Sequence, residues 1–95
     1  MPATVGLLHL KLHIPQATSL KDKRRVFKSF KDRIRNGHNV SIAEIEGKDS
    51  HRWGVLAVAM AGDDRRYMEG GLQRIRNAAA NHRDMMLVDS QIEWL

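Results

Sequence analysis

The chain predicts an α+β domain with the element order β-α-β-β-α-β, on three observations. Residues 4–14 alternate apolar and polar, residues 53–61 form a near-continuous run of small apolar residues, and two stretches around 19–36 and 64–79 carry apolar stripes at helical spacing. A period of two marks a strand with one buried face, and a period near 3.6 marks an amphipathic helix. The 95 residues form one domain spanning residues 1–95. A chain of this length buries roughly 65% of its unfolded surface. That allows one core of two packed layers and leaves little room for a deep substrate cavity.

The first strand, TVGLLHLKLHI, sets Leu8, Leu10, Leu12 and Ile14 on one face and Leu7, His9, Lys11 and His13 on the other. Pro15 ends it, because proline donates nothing to a sheet ladder. Ser19 opens a helix over about 19–36 as its N-cap, with Asp22 at the position of the reciprocal acid in a capping box. Leu20, Phe27, Phe30 and Ile34, widened by Val26, make its apolar stripe, and Asn36-Gly37 supplies a stop that tolerates the left-handed conformation.

Residues 39–46, NVSIAEIE, read as a second strand whose imperfect alternation implies a bulge or burial on both faces. Gly47 to Ser50 has turn composition. WGVLAVAMA, residues 53–61, reads as a central strand covered on both sides. Asp63 or Asp64 caps a second helix with Met68, Leu72, Ile75 and Ala79 on its stripe. Gly70-Gly71 inside it either allows close approach to the sheet or weakens the helix locally, at about 1 kcal/mol per glycine. Residues 85–95 supply a last strand, with Met86, Val88, Ile92 and Trp94 on one face and Asp89, Gln91 and Glu93 on the other. Right-handed crossovers turn this order into a ferredoxin-like four-stranded antiparallel sheet with both helices on one face and the first and third strands central.

Charge is the strongest functional signal. SLKDKRRVFKSFKDRIR, residues 19–35, holds eight of the sixteen lysines and arginines against Asp22 and Asp32, a net +6 in a chain of +5. A basic face on a rigid helix attracts polyanions and gains from counterion release. Lys21, Lys23, Arg24, Arg25, Lys28, Lys31 and Arg35 are the candidate phosphate-binding residues. The bland alternative is a solvated helix face that serves solubility.

Other chemistry finds little support. His9 and His13 on one strand have roots about 13 Å apart, too far for one zinc ion with bonds of about 2 Å. They read instead as polar surface facing Asp89 or Glu93 in cross-strand ion pairs. Base-stacking aromatics of the RRM type are missing from the first strand, and the third offers only Trp53 at its edge. The chain has no Cys, which rules out a disulfide framework and a Cys-based metal site. The loop Pro15-Gln16-Ala17-Thr18 lacks the Gly and Arg of an acylphosphatase cradle, and no nucleotide-binding or triad motif is visible. The expectation is a non-enzymatic protein without cofactor or metal. Residues 1–20 carry no signal-peptide pattern, and no stretch reaches the roughly 20 apolar residues of a membrane span, so a cytoplasmic protein is expected. Val5 and Leu7 on the uncovered sheet face, with Trp53 at its margin, mark an interaction surface, most economically a homodimer interface.

LHLKLHIP, SLKDKRRVFKSFKDRIR, NVSIAE and the terminal IEWL together resemble the YlxP-like family, small bacterial proteins grouped as a domain of unknown function. Ser19 to Arg24 and Asn39 to Glu44 are the most specific segments. Relatives tend to carry a Trp-Gln pair at the entry to the third strand, where this chain has His51-Arg52 and then Trp53. The resemblance implies a ferredoxin-like fold and an association with translation, since genes of this family often lie beside translation and ribosome-maturation factors. It implies no catalytic residues. The resulting expectation is a protein that binds RNA or a ribosomal particle through its basic helix, the alternative being a dimeric interaction module.

Overall fold

A computed structural model describes residues 2–95. Its elements are β1 (Thr4–His13), α1 (Leu20–Gly37), β2 (Ser41–Glu46), β3 (Trp53–Gly62), α2 (Arg65–Ala80) and β4 (Met86–Trp94). The strands pair antiparallel in the order β2-β3-β1-β4, which places β1 and β3 at the centre. The ferredoxin-like arrangement expected from the sequence is present.

The period-two pattern of β1 translates directly into burial. Leu8, Leu10 and Leu12 are fully enclosed, and together with Ile42, Leu56, Val58 and Met60 they form the sheet side of the core. Phe27, Phe30 and Ile34 of α1 and Met68, Leu72, Ile75 and Ala79 of α2 close over them. Each large apolar side chain withdrawn from water stabilises the fold by about 1.5–3 kcal/mol.

The helix starts follow the sequence. Ser19 Oγ accepts from the Asp22 amide at 3.1 Å, and Asp64 accepts from the Tyr67 amide at 3.2 Å. The reciprocal acid differs in its target: the Asp22 carboxylate accepts from the Thr18 amide at 3.0 Å and the Thr18 hydroxyl at 2.8 Å. The stop at Asn36-Gly37 also differs. α1 runs through Gly37 into extended His38 without a left-handed residue. Among the described residues only Gly47 has a positive φ, 79°, in the turn joining β2 to β3. A Cβ there would also lie 2.8 Å from the Trp53 carbonyl oxygen, so the turn needs glycine on two counts.

Three expectations about the strands are refined. β2 does carry a bulge, between Glu44 and Glu46, and Ile45 is the extra residue that turns outward. β3 is central but not covered on both sides, because Ala57 and Ala59 are only half-buried and Ala61 is exposed. Its apolar outer face is built mostly from small side chains. In β4 a register shift opposite Lys11 and Leu12 skips Val88, which reverses the phase of the strand's first residues. Met86 and Val88 are therefore exposed and Leu87 packs toward the core, contrary to the face assigned from alternation. Ile92 and Trp94, beyond the shift, face inward as expected.

The glycine pair in α2 splits its roles. A Cβ on Gly71 would lie 3.1 Å from Met60 Cε of the sheet, whereas one on Gly70 would meet only the Arg74 guanidinium at 3.6 Å. Gly71 is the close-approach position.

Candidate functional site

α1 carries two parallel stripes offset by one residue. Leu20, Lys23, Phe27, Phe30 and Ile34 recur at spacings of three and four and turn toward the sheet. The residue after each is basic: Lys21, Arg24, Lys28, Lys31 and Arg35. Residues three and four apart lie on one helix face, so these five form a continuous ridge about 21 Å long at 1.5 Å per residue. Lys21, Arg24, Lys28 and Arg35 are exposed and Lys31 is half-buried.

One acid of α1, Asp32, engages two of the five ridge cations. Asp32 pairs with Lys28 at 2.7 Å and lies 3.8 Å from Arg35. The hydrogen bond from Lys28 holds the Asp32 carboxyl below its ordinary range. Asp22 is likewise held low, chiefly by the Thr18 amide and then the Thr18 hydroxyl. Arg35 also donates to the Ile42 carbonyl at 2.8 Å, which commits part of its guanidinium to β2. Lys21, Arg24, Arg25, Lys31 and Arg33 make no salt bridge with another described residue.

Lys23 is a correction to the sequence-based set. Its side chain is 1% exposed, and its ammonium donates to Glu44 Oε2 at 2.8 Å, Gly47 O at 2.6 Å and Trp53 O at 3.2 Å. It also lies 5.6 Å from the Phe27 ring centroid. All three ammonium protons have acceptors, so this lysine fastens the β2–β3 hairpin to α1 and offers nothing to a phosphate. The charge pattern becomes simpler once it is set aside. Without Lys23, residues 19–35 fall from +6 to +5, the densest run of positive charge in the chain, while the remaining residues with Lys23 sum to zero, the arginines of α2 being offset by acids elsewhere.

The structure sets Arg25, already a candidate from the sequence, among residues that sequence reasoning missed. Arg25, Ser29 and Arg33, spaced four apart on α1, form one wall of a groove of about 490 Å³. Asn81, His82, Arg83 and Asp84, just after α2, form the other, with the Asp84 carboxylate 3.6 Å from Arg83 Nε. Three guanidiniums therefore border one opening. His82 Nδ1 accepts from the Asp84 amide at 3.0 Å, and its ring meets Phe30 edge-on at 6.1 Å, which fixes the far wall. Arg33 was legible as the residue following Asp32 at groove spacing from Arg25. Arg83 was not, because only the fold brings the end of α2 beside α1.

The uncovered sheet face holds the other candidates. Val5 and Leu7 are half-buried on it, and Trp53 is 38% exposed at its margin. The histidine ion pairs expected across the strands are not formed: His9 lies opposite Gln91 and Ala57, and His13 opposite Met86 and Trp53. Lys11 is in register with Asp89, but its ammonium lies 5.6 Å from the Trp53 ring centroid. His9 Nδ1 is buried without a hydrogen-bond partner among the described residues. Trp94 packs against the core with the Arg65 guanidinium 4.7 Å from its ring centroid. Among the described residues no three His, Asp or Glu side chains converge as metal ligands. Among the described residues no helix is long and apolar enough to cross a membrane.

The fold is shared with the de novo designed protein Foldit4, which superposes with a TM-score of 0.56 over 98% of this chain and 96% of its own at 14% identity. A likeness at that identity is one of fold alone. The uncharacterized protein YlxP of Bacillus subtilis (strain 168) is 30% identical over 90 residues, which cover 95% of this chain and 98% of that protein. A family model described as "Protein of unknown function (DUF503)" matches residues 5–92, nearly the whole of the sheet and both helices. The chain belongs to the DUF503 family, the YlxP-like proteins of unknown function.

Proposed function

We propose that this protein binds RNA, free or within a ribosomal particle, by gripping backbone phosphates along the outer side of α1. The observation that carries the reading is the concentration of a net +5 in residues 19–35 on one ridge and one wall of its flanking groove, counted without the buried Lys23 that pairs with Glu44. Lys21, Arg24, Lys28 and Lys31 supply the ridge, and Arg25, Arg33 and Arg83 supply the groove. Guanidinium forks suit bidentate contact with phosphate oxygens, and ammonium groups add point charges. The sheet offers no row of stacking aromatics, so selectivity comes from the shape of the RNA. The association with translation implied by the family resemblance agrees with this partner.

Fluorescence anisotropy on a structured RNA across a salt series tests the reading. Replacing Arg24, Arg25 and Lys28 with alanine should weaken binding at low salt. It should also flatten the slope of log K against log salt by about 0.7–0.9 for each phosphate that is no longer gripped. Unchanged affinity and slope in a folded triple variant would sink it. Arg83→Ala should lower affinity as well, which ties the groove to the ridge.

A further inference from the structure

We infer that the uncovered sheet face binds a second copy of this chain, packing the two sheets against each other with both basic ridges on the outside. The surface is built from small and apolar side chains over much of its centre, with a shallow depression of about 330 Å³ beside it lined by His9, Lys11, Glu46, Val55 and Asp89. Row by row across β2, β3 and β1, it presents Ser41, Ala59 and Leu7, then Ala43, Ala57 and His9. Alanines in the middle of a sheet let an opposing sheet approach to the usual ~10 Å separation without clashing side chains.

Area and charge both favour a second copy. The strands contain ten, six, ten and nine residues. At about 3.4 Å rise and 4.8 Å spacing, that makes roughly 570 Å² of flat face per chain. Two such faces bury about 1,150 Å² before corrugation is counted, at the threshold of roughly 1,200 Å² for a specific interface. The ionisable groups are of mixed sign. Lys11 stands on the central strand, with Asp89 and Glu93 on β4 and Glu46 on β2. Each copy can therefore set its Lys11 against a carboxylate of the other. The outer side of α1, at +5, would repel its own copy, so self-association is directed to the opposite face. At the centre of this face, His9 Nδ1 lacks a partner within the described chain.

Sedimentation velocity on nuclease-treated protein at about 50 µM reads the assembly without RNA, at a concentration that detects micromolar dissociation constants. The expected mass is twice the 10.8 kDa of one chain. Ala57→Arg and Leu7→Glu should each return the single-chain mass with an unchanged far-ultraviolet circular dichroism spectrum. Since the chain has no Cys, Ala57→Cys provides a readout that does not depend on disrupting the face. A short bis-maleimide cross-linker, which spans the ~10 Å between facing sheets that a disulfide cannot, should link two chains through this central position. A single-chain mass for the unmodified protein would overturn the inference, including where the same face captures a different protein. A dimer that survives both charged substitutions would overturn it equally, because the contact would then lie elsewhere.

Discussion

Lys23 shows how burial can convert a charge into a structural element. A lysine at 1% exposure is tolerated because Glu44 and the carbonyls of Gly47 and Trp53 take up its three protons. Breaking a buried ion pair from one side costs about 3–5 kcal/mol, a large part of a total stability of about 5–15 kcal/mol. Glu44→Gln should fall in that range by urea denaturation, because it leaves an enclosed ammonium without its counter-charge. Lys23→Met should cost about 3 kcal/mol, since the carboxylate left behind retains some solvent. Lys23→Met with Glu44→Leu should cost less than the sum of the single changes, an interaction read by a double-mutant cycle. The role of this residue was half legible: its spacing from Leu20, Phe27, Phe30 and Ile34 belongs to the buried stripe, but its charge groups it with the ridge. Asp22 yields a pH prediction. Its folded pKa lies below the ordinary 3.8, so its contribution is present above that value and is lost as pH falls through the folded one. Asp22→Asn should therefore destabilise the protein at neutral pH, and the difference from the unmodified chain should shrink in acid titrations followed by circular dichroism.

At the level of elements, order and type were legible because each periodicity had enough length to declare itself. The α1 stripe survives four turns, and the β1 alternation survives ten residues. β4 was misread at its start because an alternation rule assumes an unbroken ladder. The skipped Val88 shifts the phase, and nothing in Met86-Leu87-Val88 distinguishes the inward residue from its neighbours. The bulge in β2 was legible because the mismatch between Ile42 and Ile45 falls inside the strand. The glycines of α2 give a graded test. Gly70→Ala should raise stability by about 0.5–1 kcal/mol in urea denaturation, as expected for relief of backbone entropy at an open helical position. Gly71→Ala should gain less or lose, because its Cβ must displace Met60 Cε from 3.1 Å.

For the whole molecule, the sequence showed a basic helix and an open sheet face, and the structure shows how they are partitioned. Apolar burial lies between the two layers, cationic charge lies outside the helices, and the mixed face lies outside the sheet. The groove beside Arg83 could not be read in advance, since it joins residues about fifty positions apart and no local pattern encodes their proximity. Adding salt from 50 to 200 mM should weaken RNA binding steeply while leaving the sheet-face dimer, held mainly by apolar contact, nearly unchanged in sedimentation. The register shifts of β2 and β4 have a consequence at this scale. They fall on the two outermost strands, one on each flank of the sheet. A bulged flank is a poor template for an incoming strand, so neither side invites the chain-by-chain growth that leads to fibrils. Straightening β4 by deleting Val88 should remove that protection on one flank and make the protein prone to ordered aggregation, detectable by thioflavin fluorescence under conditions where the intact chain stays clear.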